Sequence, residues 1–154
     1  MAEQESCIFC RIVRNEIPSY KVWEDADFLA FLDIYPNIRG QTLVIPKRHI
    51  KSNPYSIEEE ELVSLIRATR KVAKILQKRL KVKRVHLVIE GMGVNHLHAK
   101  LYPAVGADEN KMGEAYQPEP QFFERYPGHT TTLLGPKATQ AYLEDLQNEI
   151  TKEE

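Results

Sequence analysis

The segment Asn95-His96-Leu97-His98-Ala99-Lys100-Leu101-Tyr102 sets two imidazoles and an ammonium at alternate positions. Side chains on a strand alternate between faces, so His96, His98, Lys100 and Tyr102 share one face and Leu97, Ala99 and Leu101 the other. Such a polar row builds a core badly and meets a phosphate well. An imidazole can be a nucleophile on phosphorus, a general acid or base, or a metal ligand. The bland alternative is a solvent-facing strand with incidental histidines.

Cys7 and Cys10 form a C-x-x-C pair. In a reducing compartment this spacing suits a metal site or a redox pair better than a structural disulfide. The redox reading wants a thioredoxin-like βαβ pattern, and nothing before Cys7 reads as a strand. Structural zinc takes four ligands, commonly Cys₂His₂. Cys7 and Cys10 supply two, and His49 with one of the strand histidines can supply the rest. Spacing alone does not choose among them. His86 reads as a sheet residue and His129 as a loop residue.

These groups need elements to hold them. Cys7–Asn15 reads as a short helix or turn with Ile8, Phe9, Ile12 and Val13 inward, ended by Pro18. Tyr20–Glu24, Phe28–Leu32 and Gln41–Ile45 read as strands. Ser56 with Glu59 predicts a capping box opening a long helix. Leu62, Leu65, Ile66, Thr69, Val72, Ala73, Leu76 and Leu80 recur along it at helical spacing. Val85–Glu90 and His96–Tyr102 predict the last two strands, parted by the turn at Gly91-Met92-Gly93. The stretch Gly106–Pro136 is polar and rich in Gly and Pro, so an irregular excursion is expected. Pro136 then opens a final helix with Ala138, Tyr142, Leu146 and Ile150 inward. The expectation is α+β: a mostly antiparallel five-stranded sheet, one long helix and a C-terminal helix.

The 154 residues suit one domain over 1–154, with a core at about 7–103. Lys and Arg total 21 against 22 Asp and Glu, a net charge of -1 that gives no drive towards polymeric nucleic acid or anionic membrane. The basic residues of the long helix, Arg67, Arg70, Lys71, Lys74 and Lys78, read as a solvated face. Nothing near Met1 resembles a signal peptide and no run suits a membrane span, so a cytoplasmic protein is expected.

Three blocks in order carry a resemblance: CIFCRIVRNEIPS, FLAFLDIYPNIRGQTLVIPKRHI and GMGVNHLHAKLYP. They resemble the histidine triad superfamily of nucleotide hydrolases and transferases, over about Cys7 to Pro103. The resemblance implies a five-stranded antiparallel sheet with helices on one side, a homodimer, and a pocket favouring a purine nucleotide. Ile8, Phe9, Ile12, Phe31 and Ile34 match positions that enclose the base, and Asp33 matches the carboxylate that accepts from the ribose hydroxyls. The family motif is His-φ-His-φ-His-φ-φ, with φ apolar. Its middle histidine, the nucleophile on the α-phosphorus, is His98 here.

The C-x-x-C pair resembles a zinc-bearing branch that includes sugar-phosphate uridylyltransferases. There the ligand set would be Cys7, Cys10, His49 and His96. Lys100 stands at the third triad position, where an ammonium can hold a phosphate oxygen as a point charge. Gly91-Met92-Gly93-Val94 replaces the family's Gly-Gln-Ser-Val, and Gln41 stands where many relatives have His. Three functions follow as expectations. One is a nucleotidyl hydrolase or transferase working through a nucleotidyl-histidine. The others are an inactive nucleotide-binding or sensor protein, and a zinc-stabilised interaction module presenting the Gly106–Pro136 segment.

Overall fold

A computed structural model describes residues 2–106 and 137–152. The chain opens with α1 (Ala2–Ser6) and α2 (Ile8–Val13), then runs through β1 (Lys21–Glu24), β2 (Phe28–Leu32) and β3 (Thr42–Pro46). α3 (Glu59–Leu80) is followed by β4 (Val85–Val88), β5 (Ala99–Pro103) and α4 (Gln140–Thr151). The strands form one five-stranded sheet in the order β1-β2-β3-β5-β4. Every neighbouring pair is antiparallel, so the expected α+β architecture is present.

The sheet alternates as its sequence requires. Ala30, Leu32, Val44, Leu97, Ala99 and Leu101 cluster with Leu65, Val72 and Leu76 of α3 and Leu143, Leu146 and Ile150 of α4. Leu29, Phe31, Leu43 and Ile45 point the other way and cluster with Cys7, Phe9, Cys10 and Ile12. α3 and α4 therefore cover one face. α2 covers part of the opposite face, a departure from helices on one side alone. Val72 and Leu76 are fully buried, and burying each such side chain is worth about 1.5–3 kcal/mol.

Register fixes what faces what. Phe31 pairs with Leu43, Leu43 with Lys100, and Lys100 with Val88, a row across four strands. The β1–β2 turn is closed by Asp25, whose Oδ1 accepts from Asp27 N at 3.0 Å and Phe28 N at 2.8 Å. Lys71 of α3 reaches the same carboxylate at 3.2 Å.

Several expectations need correction. α3 begins at Glu59 behind Glu58, with no side-chain cap. Ser56 is instead committed to the preceding turn, where its Oγ donates to Asn53 O at 3.2 Å. Ile66 is exposed, and Ala68 takes an inner position between Leu65 and Val72. On α4 Leu143 is buried in place of Tyr142, which is exposed. The helix is capped by Thr139, whose Oγ1 accepts from Tyr142 N at 3.3 Å, and Leu146 and Ile150 are buried as expected. Ile8 is 45% exposed, because α2 turns Phe9, Cys10 and Ile12 inward instead. β4 stops at Val88, and β5 begins at Ala99 rather than His96. The 107–136 stretch, with His129 and Pro136, lies outside the described residues. Among the described residues no helix is long and apolar enough to cross a membrane.

Candidate functional site

His96 and His98 lie in the extended lead-in to β5, and the predicted alternation holds there. Leu97 points into the helix-side core. The two imidazoles point to the α2 side, where His96 is fully buried and His98 nearly so. Each ring meets a carbonyl. Nε2 of His96 donates to Pro46 O at 2.8 Å, and Nδ1 of His98 donates to His96 O at 2.7 Å. A carbonyl only accepts, so these bonds fix the tautomers. The lone pair of His96 is on Nδ1 and that of His98 on Nε2. Burial pushes His96 down to about 4. Burial also holds His98 below its ordinary value, aided by the charge of Lys100 and opposed by its bond to His96 O and the charges of Glu90 and Asp33. Both rings are neutral at pH 7.

The free Nδ1 of His96 faces two thiols. It lies 3.5 Å from Cys7 Sγ and 3.5 Å from Cys10 Sγ, and His49 Nδ1 lies 3.3 Å from Cys10 Sγ. One donor atom from each of Cys7, Cys10, His49 and His96 falls within 4.8 Å of all the others. Burial, then the neighbouring Cys7, pushes the Cys10 thiol up to about 11. The His49 ring stands edge-on to His96 at 5.1 Å, and its buried Nε2 has no hydrogen-bond partner among the described residues. Four soft or borderline donors converging on one point, two of them thiols, fit a tetrahedral zinc ion. The bond from His96 Nε2 to Pro46 is the orienting contact such a ligand ordinarily has.

Asp33 follows β2 and is buried. Its Oδ1 accepts from Tyr35 N at 2.8 Å and its Oδ2 from Gln41 Nε2 at 2.7 Å. Gln41 Oε1 in turn accepts from Asn37 N at 2.8 Å. Gln41 thus braces the carboxylate, and each carboxylate oxygen keeps acceptor capacity. Phe9, Ile12 and Phe31 belong to the α2-side core. The Phe9 ring meets those of Phe31, His96 and His98 edge-on at 5.9, 5.7 and 5.5 Å. Ile8 and Ile34, by contrast, are largely exposed, so the five apolar residues divide into a buried three and an exposed two. A cleft of about 360 Å³ runs along Cys7, Ile8, His49, Gly93 and Asn95.

The loop before His96 is latched to the segment after His49. Ser52 Oγ donates to Gly91 O at 2.8 Å, and Asn95 Oδ1 accepts from Ser52 N at 3.2 Å. Gly91 has φ +69°, and a Cβ there would sit 2.7 Å from Ser52 O. Only glycine suits both the turn and that approach.

Lys100 projects to the same face as His98 and is half-buried. Its ammonium forms an ion pair with Glu90. Sequence reading passed over Glu90. The signal lay just past β4, where Val88 faces Lys100 and Glu90 follows two residues later. His86 lies exposed on β4 opposite Tyr102, as a sheet residue should. A second cleft, of about 690 Å³, lies near Ala26, Arg48, Glu58 and Ser64. None of the described histidines or cysteines lines it, and its cations are paired, Lys47 with Glu24 and Arg48 with Glu61.

The HIT domain family model matches residues 14–103. An uncharacterized HIT-like protein of Methanocaldococcus jannaschii is 37% identical over 115 residues, 70% of this chain and 88% of that protein. An adenosine 5'-monophosphoramidase of Candida albicans is 30% identical over 139 residues, 76% of this chain and 91% of that protein. Among solved structures, a hypothetical histidine triad nucleotide-binding protein from Sulfolobus tokodaii superposes with a TM-score of 0.71 at 29% identity. That match covers 94% of this chain and 89% of the other.

Proposed function

The chain belongs to the HIT domain family, and we propose that within it the chain is a nucleotidyl hydrolase or transferase acting at the α-phosphate through His98. One observation carries the reading. The bond from His98 Nδ1 to His96 O leaves a lone pair on Nε2 of a neutral ring, as a nucleophile on phosphorus needs.

Nε2 attacks the α-phosphorus, a bond forms between them, and the leaving group departs with the electron pair of its own bond. The imidazole then carries positive charge, which the carbonyl of His96 stabilises through the Nδ1 proton. Water attacks the same phosphorus in the second step, and the electron pair of the N–P bond returns to Nε2. The proton shed by water balances the leaving group, so the products are a nucleoside monophosphate and the protonated leaving group. Lys100 steadies a non-bridging oxygen, and Asp33 accepts from the ribose hydroxyls. Phe9, Ile12 and Phe31 back the base, with Ile8 and Ile34 at its edge. The kinship to an adenosine 5'-monophosphoramidase supports a purine nucleotide as ligand, and the working unit is proposed as a homodimer.

Cys7, Cys10, His49 and His96 would hold a zinc ion. The ion supplies a structural cross-link there and takes no part in the bond changes. Since His96 Nδ1 belongs to that set, His96 contributes to the reaction only its carbonyl and its rigidity.

The second reading is a nucleotide-binding protein without turnover. It is favoured by the Lys100–Glu90 pair, which commits the only cation of the motif, and by the lack of side-chain donors at Gly91-Met92-Gly93. Release of nucleoside monophosphate from a dinucleoside polyphosphate, an adenosine phosphoramidate and a nucleotide sugar separates the two. Turnover lost in His98→Asn supports the enzyme. Nucleotide-dependent thermal stabilisation with no turnover in the wild type supports the binding protein.

A further inference from the structure

We propose that Glu90 is a positioning residue that sets, through Lys100, how much negative charge the site accepts at the reacting phosphate. The inference rests on the reading of His98 and Lys100 as the phosphate site.

Lys100 reaches from β5 on the face of His98, and its ammonium is held by Glu90. The two side chains are only 14% and 21% exposed, so solvent and salt screen the pair little. A lysine ammonium is a point charge on a flexible stem with no fixed direction of its own. Glu90 supplies the direction. It lies two residues beyond Val88, the cross-strand partner of Lys100, and its charge acts on His98 as well.

The charges felt at His98 come from Lys100, Glu90 and Asp33. Among the described residues, the ammonium of Lys100 is thus set against two carboxylates around the nucleophile. A ligand with a single phosphate can share the ammonium with Glu90. A polyphosphate brings further charge, and must displace Glu90 from Lys100 or be repelled by it. The site therefore favours a nucleotide that brings one phosphate to Lys100 over one that brings two.

The test is calorimetric titration of AMP and ADP into the zinc-replete protein and its variants, each checked for folding by thermal melting. The wild type should bind AMP at least as tightly as ADP. Glu90→Gln should move the ADP:AMP affinity ratio about 10-fold towards ADP, because a part-buried charge has been removed beside the phosphates. Glu90→Asp should keep the wild-type ratio. In a Lys100→Met background, Glu90→Gln should move the ratio at most about 3-fold, since only direct repulsion is then relieved. Lys100→Met alone should move it about 10-fold towards AMP, and this reading stands even if Glu90→Gln does not fold. Nucleotide binding with an unchanged ratio in Glu90→Gln, or in Lys100→Met when Glu90→Gln is unfolded, overturns the role of Glu90 and leaves the proposed function intact. A folded wild type that binds neither nucleotide overturns the proposed function, and this inference with it.

Discussion

The carbonyl oxygen of His96 accepts the Nδ1 proton of His98 at 2.7 Å, joining the candidate metal cluster to the candidate nucleophile through one residue. The imidazole of His96 turns to Cys7 and Cys10 while its main chain holds the next ring on its face. Anything that displaces the His96 backbone must also rotate His98. The two sites are thus mechanically one, although only one of them would do chemistry.

Replacing His98 by Asn should abolish turnover and spare binding. Asn keeps a polar group of similar reach but offers no lone pair able to form a stable bond to phosphorus. A drop in kcat of about 10³-fold or more is expected, with nucleotide affinity within a few-fold of wild type. Intact-mass analysis of quenched reactions should find a nucleotide adduct in the wild type and none in the variant. An adduct that persists in His98→Asn would move the nucleophile elsewhere.

Metal content should be one zinc per chain by atomic absorption, and Cys10→Ser should lower it. A ligand bound only to the folded state raises stability, so chelation should depress the melting temperature of the wild type. The same chelator should leave Cys10→Ser unmoved. Equal shifts in both proteins would place the metal at other residues.

Asp33→Ala should weaken a ribonucleoside monophosphate about 10-fold, from the loss of charged hydrogen bonds to its hydroxyls. A 2′,3′-dideoxy analogue should lose less than about twofold, because it never made those bonds. If both ligands weaken together, Asp33 acts by holding Tyr35 and Gln41 in place and not by meeting sugar.

Leu76→Ala removes a fully buried side chain from the sheet-facing side of α3. A loss of about 2–5 kcal/mol is expected by chemical denaturation, as for other large-to-small changes in packed cores. Ile66→Ala, on the exposed side of the same helix, should cost far less. Comparable losses would show that α3 packs by a different face.

What could be read in advance was periodic. Alternation along 96–102 separated the histidines from Leu97, Ala99 and Leu101, and the structure keeps that division even though regular pairing starts only at Ala99. Helical spacing found Leu65, Val72, Leu76 and Leu80. The failures were of capping and of partnership. Ser56 and Thr139 are both hydroxyl residues near a helix start, yet only Thr139 caps, because Ser56 is drawn into the turn at Asn53. Composition does not reveal such a competition. The ion pair between Glu90 and Lys100 depends on β4 lying beside β5 in one register. Strand patterning and the resemblance both pointed to the sheet, while the partnership depends on which strands lie side by side. Gln41 was noticed only as a substitution, and its grip on Asp33 joins residues eight apart across a turn.

The cluster at Cys7 and His96 joins positions 89 apart along the chain. An ion held there would close a loop containing four of the five strands and the whole of α3. In the unfolded chain the donors are scattered, and bringing them together costs closure entropy that grows only slowly with loop length. Such a knot can be tied only after the sheet has assembled. It would therefore act as a brake on unraveling more than as a seed for assembly. Its signature would be kinetic, with metal slowing the unfolding rate far more than it hastens folding.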